Sequence, residues 1–168
     1  MATGRGRLVP LVTLAPLVGA LTLSAPAAAH HSFAMYDLQK TYVFTGVVTR
    51  VTPDANHLQI FFAPLNETRN QVIRDAAGQP VIWTVELRAA GTVAREGVTV
   101  ESFPAGTIFS VGLHPLRNGR PAGGRGAFGL FRCPPKTPPV TGKHCDSVAG
   151  STSHGKGVLP QPTHQWAP

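Results

Sequence analysis

The stretch Thr41-Tyr42-Val43-Phe44-Thr45-Gly46-Val47-Val48-Thr49-Arg50-Val51 decides the fold class. Val43, Thr45, Val47, Thr49 and Val51 fall on one face of an extended chain, and Phe44, Gly46, Val48 and Arg50 on the other. Side chains alternate with period two along a strand, and β-branched residues pack well on a pleated surface, so this run predicts β-structure. Pro53-Asp54-Ala55-Asn56 reads as a turn, and His57–Phe62 as a second strand with Leu58 and Ile60 alternating against His57 and Gln59.

The same pattern continues outward. Pro64–Asn70 is polar and aperiodic, and Gln71–Arg74 and Pro80–Leu87 flank the turn Asp75-Ala76-Ala77-Gly78. Val81, Trp83 and Val85 alternate against Ile82, Thr84 and Glu86, with Trp83 the natural core aromatic. Ala89–Glu96 allows about two helical turns, ended by Gly97 in the αL cap position. Thr107–Leu113 is a further strand, Asn118-Gly119 is a two-residue hairpin signal, residues 121–126 read as a glycine-rich loop, and Ala127–Arg132 as the closing strand. Three strands, a short helix and two more strands predict a mainly β fold: a small five-stranded OB-like barrel with one short helix. A small β-sandwich is the competing topology.

The flanks divide the chain. Residues 1–29 read as a cleaved signal peptide: Arg5 and Arg7 precede the apolar run Leu8–Leu23, and Ala27-Ala28-Ala29 offers small residues to a peptidase. This predicts a periplasmic or secreted protein with no transmembrane segment once the signal is removed. The mature chain then has 168 − 29 = 139 residues, with 13 basic against 8 acidic, a net charge of 13 − 8 = +5. The basic residues are scattered and aromatics are few, so nucleic acid is not an expected partner; a solvated basic surface or an envelope protein is. Residues 30–40 form an N-terminal arm, 41–133 the barrel domain and 134–168 a tail. The tail holds seven of the sixteen prolines and few large apolar residues, so it is predicted to be largely disordered. Cys133 and Cys145 are the only cysteines, and in an oxidising compartment they are expected to pair. Such a bridge contributes about 3 kcal/mol by the loop-entropy relation.

Three histidine motifs stand in order: His30-His31-Ser32-Phe33, Asn56-His57, and His114-Pro115-Leu116-Arg117-Asn118-Gly119. With these the chain resembles a family of small secreted bacterial proteins known only as a domain of unknown function. That family opens with His-His-Ser-Phe, has an Asn-Pro-His turn and a Trp-containing strand, and carries a His-Pro-x-Arg-x-Gly hairpin. The resemblance spans about residues 29–132 and implies a secreted β-barrel with no established activity. Two departures stand out: no proline separates Asn56 from His57, and the polar segment 64–80 is longer than the family pattern.

Candidate chemistry centres on the signal junction. Cleavage after Ala29 would leave His30 first, so that its amine and ring chelate one metal and a further imidazole completes the set. Cleavage after Ala28 would give Ala29-His30-His31, a square-planar nitrogen set suited to Cu(II) or Ni(II). His30, His31, His57 and His114 are therefore the candidate metal ligands, with copper the candidate cofactor. The competing reading is a solvated arm and strand-end histidines bonded to carbonyls. No nucleophile elbow or paired carboxylates appear, and Glu86, Glu96 and Glu101 show no local pairing, so a binding module is favoured over an enzyme. His144, His154 and His164 fall in the tail and are not counted as a site. Arg117 and Arg120 read as exposed hairpin charge, or as a grip for an anion.

Overall fold

A computed structural model describes residues 33–54 and 56–167, together with Met1. Residues Ser32–Pro168 make up one compact unit. Its sheet contains β1 (Tyr42–Pro53), β2 (Leu58–Pro64), β3 (Trp83–Glu86), β4 (Ile108–Pro115), β5 (Ala122–Gly124), β6 (Leu130–Arg132) and β7 (Thr152–Ser153). The order β1-β2-β3-β5-β4 closes through pairing of β1 with β4, and β3 and β5 run parallel. This is the predicted OB-like five-stranded barrel. The short helix α1 (Ala90–Ala94) lies between β3 and β4, and Gly97, at φ 78°, follows it in the left-handed region.

The core is built by the alternation read from the sequence, with one correction. Phe44 and Val48 point inward from β1, but a bulge between Val48 and Arg50 shifts the register. The extra residue rotates the strand by one position, so Val51 packs on the same core as Phe44 and Val48. Ile60 and Phe62 from β2, Trp83 and Val85 from β3, and Phe109, Val111 and Leu113 from β4 complete the interior. Val93 and Val98 bring α1 and its C-terminal loop onto it.

The closing strand is not where alternation placed it. Ala122–Gly124 closes the barrel, while Leu130–Arg132 pairs on the outer edge of β4 as a sixth strand. The reason is steric. A side chain on Gly123 would collide with Leu113 and the His114 backbone, and one on Gly124 would meet the Tyr36 ring at 2.8 Å. Only a glycine strand fits between them, and glycines carry no side-chain periodicity to read.

Beyond β6, where composition predicts little order, the chain lies against the barrel. Cys133 is bonded to Cys145, both buried. β7 adds to β6, and Trp166 packs on the core rings of Phe44 and Trp83 at 5.8 and 5.5 Å between centroids. A tail with too few apolar residues for its own core here uses the barrel's. No helix among the described residues is long and apolar enough to cross a membrane.

Candidate functional site

The alternation of β3 turns Trp83 and Val85 inward and Glu86 outward. Glu86 is level with Gln59 on β2 and Gly124 on β5, and Gly124 is level with His114 on β4. One transverse row on the outer face thus runs across four strands, and the N-terminal arm crosses it. A 3-10 turn, Phe33–Met35, leads to Tyr36, which bridges to Leu116. The Arg117 backbone N–H donates to Met35 O at 2.9 Å, and its Nε donates to Ala34 O at 3.1 Å. The hairpin arginine therefore docks the arm.

From that anchorage the Tyr36 ring covers Gly124, and its hydroxyl donates to Glu86 Oε1 at 3.0 Å. Burial, then the Glu86 charge and hydrogen bond, push the Tyr36 phenol well above its ordinary pKa, so it remains a donor. Glu86 Oε1 also lies 3.2 Å from His57 Nδ1, and the same nitrogen lies 3.2 Å from Leu87 O. Both of these atoms are acceptors, so in a neutral ring Nδ1 carries the proton. A histidine oriented by a carboxylate through one nitrogen is the arrangement metal sites use to fix the other.

His114 has a different environment. Its Nδ1 lies 2.8 Å from Lys40 O, and its ring lies 4.7 Å from that of Phe128. His114 ends the row on β4, whereas His57 precedes β2 at the other side of the row, and no contact joins the two rings. Among the described residues, no group of three or more His, Cys, Asp or Glu is placed to hold a metal. His30 and His31 lie outside the described residues.

A family model described as a family of unknown function, DUF6152, matches residues 19–125. The chain belongs to DUF6152. Comparison with curated proteins and with solved structures gives no significant match. The DUF6152 match takes in the arm, the Tyr36–Glu86–His57 linkage and all five barrel strands, and ends before β6 and the tail.

Several residues that matter were not legible in advance. Glu86 and Tyr36 are fifty positions apart, so only closure of the barrel pairs them. Arg125 is 5% exposed, and Glu96 receives both Arg88 and Arg125. Two tail histidines outside the DUF6152 match are also built in. His144 Nδ1 bonds Thr45 Oγ1 at 2.8 Å, and His154 Nδ1 bonds Glu96 O at 2.9 Å.

Both tail imidazoles are held below the ordinary histidine range, chiefly by burial. Arg69 adds to the effect at His144 against Asp146, and Arg132 and Arg125 add to it at His154 against Glu96. The unfolded chain therefore binds more protons than the native one once pH falls below about 6.5. Stability is expected to be full above that pH and to decline progressively toward the depressed native values. Urea midpoints at pH 7.5 and pH 5 should show the loss, and the double substitution His144→Gln and His154→Gln should flatten it.

Proposed function

We propose that the protein is an exported, non-enzymatic binding module that holds one Cu(II) at its mature N-terminus. The observation that carries this reading is the linkage His57–Glu86–Tyr36, which orients an imidazole on the barrel through a carboxylate that also holds Tyr36, a residue close behind His30 and His31 in the sequence. Export is supported by the basic, apolar and small-residue segments that precede His30. In this reading the amine and ring of His30 bind the metal, His31 and His57 Nε2 supply further nitrogens, and His114 serves to anchor Lys40. Nitrogen-rich sets of this kind suit Cu(II).

The test is a native mass spectrum of protein recovered after export, with and without one equivalent of Cu(II). A chain beginning at His30 or Ala29 that retains one copper is the expected result. One added residue before His30 should abolish tight retention, and His57→Ala should weaken it. Glu86→Gln, which leaves all ligands in place, should cost about 10- to 100-fold in affinity, whereas His114→Ala should not change it. A mature start elsewhere, or copper retention indifferent to the added residue and to His57, overturns the reading.

A further inference from the structure

The end of the barrel near Tyr42 and Trp83 is covered by the chain's own tail. Of residues 161–167, Trp166 alone is not exposed. Its indole packs edge-on to Phe44 and Trp83, which are themselves 4.7 Å apart between centroids. The strap is held nearby by two hydrogen bonds, from Thr41 N to Thr163 Oγ1 at 2.9 Å and from Thr163 N to Thr41 O at 3.2 Å. A single ring inserted by an otherwise exposed segment is how an anchor side chain occupies a pocket.

Tyr42 and Trp166 line two cavities, a groove of about 640 Å³ and a pocket of about 120 Å³. The smaller pocket is lined by three cations, Lys40, Arg117 and Arg120, against one carboxylate, Asp37, which pairs with Lys40 at 3.5 Å. Among the described residues, the Arg120 guanidinium and the terminal nitrogens of Arg117 make no hydrogen bond. Trp83 lines the same pocket, is 2% exposed, and its Nε1–H has no acceptor among the described residues. Trp166 thus answers the apolar half of this place and leaves its donors and positive charge unanswered. Tyr42, Phe44, Trp83, Arg117 and Arg120 all fall inside the family match, and the strap falls outside it.

We infer that the Tyr42–Phe44–Trp83 end of the barrel is a binding site for an aromatic carboxylate, with Trp166 as a resident competitor. The ligand's ring replaces the indole against Phe44 and Trp83, and its carboxylate lies toward Arg117 and Arg120. A planar ring meets the aromatic edges in the geometry Trp166 already uses. A carboxylate gives arginine the bidentate acceptor its guanidinium fits. Because the strap is intramolecular, it competes at high effective concentration and lowers the apparent affinity of the intact chain.

Calorimetric titration of the mature chain with indole-3-acetate, and with indole-3-acetamide as its neutral counterpart, tests this. Trp166→Ala is expected to bind the acid about tenfold or more tightly than the wild type, and to prefer it to the amide. Adding Arg120→Ala should remove that preference while leaving ring binding. Thr163→Ala, which loosens the strap without entering the core, should tighten binding of the acid about threefold and covers the case in which Trp166→Ala fails to fold. No gain for either strap variant, or equal affinity for acid and amide in the folded variants, overturns the inference.

Discussion

Replacing Arg125 with alanine is expected to destabilise the protein by about 3–5 kcal/mol, the usual cost of stripping one partner from a buried ion pair. Arg125 is almost completely enclosed, and burial lowers its pKa, though a guanidinium stays charged. Its Nε donates to Phe128 O at 2.7 Å, Nη2 donates to His154 O at 2.7 Å, and Nη1 meets Glu96 Oε2 at 3.2 Å. One side chain therefore joins the loop after β5, the segment that follows α1 and the tail just after β7. Alanine leaves two carbonyls without these donors and leaves Glu96 with Arg88 alone, which is more than half exposed. Urea unfolding is the measurement, and a lower midpoint is expected. Arg125→Lys should recover only part of the loss, because an ammonium cannot present the planar fork that three separate acceptors need. A loss below about 1 kcal/mol for Arg125→Ala would show that the tail is not fastened this way.

Phe62→Ala is expected to cost a similar amount, about 3–5 kcal/mol, for a different reason. Phe62 is fully buried at the centre of the barrel, with ring centroids 5.7 Å from Phe44 and 5.2 Å from Phe109. It is level with Val48 in the sheet, and its ring comes so close to Gly46 that a Cβ there would meet it at 2.5 Å. The strands that surround the vacated space are tied into a closed barrel and cannot collapse inward, so a cavity remains. The urea midpoint should fall with little change in slope if the native barrel survives. Phe62→Leu keeps most of the volume and should cost much less. Because whole domains are stable by only about 5–15 kcal/mol, either alanine substitution removes a large share of the total.

The contrast between these two residues explains what was readable in advance. Phe62 lies in an alternating strand, and its neighbours along the chain announce that it faces the core. Arg125 sits in a glycine-rich stretch, and nothing local distinguishes it from the exposed arginines elsewhere in the chain. Glu86 is intermediate. Alternation with Trp83 and Val85 places it on the outer face, but Tyr36 and His57 reach it only because the arm crosses β5 and β2 lies beside β3. Arg117 was legible as part of a hairpin motif, whereas its role in holding Ala34 and Met35 required the arm's position.

By itself the sequence determined the fold class, the two alternating faces of β1 as far as its bulge, the burial of Trp83, the helix ending before Gly97 and the pairing of the two cysteines. These follow from local periodicity, from single-residue stereochemistry, or from there being only one possible partner. The tertiary structure alone decided which strand closes the barrel, how the arm reaches Glu86 and His57, and where Trp166 inserts. Each of those is a contact between residues far apart in the chain. The closing strand lies between two steric walls that leave room only for glycine, and glycine carries no pattern along the sequence.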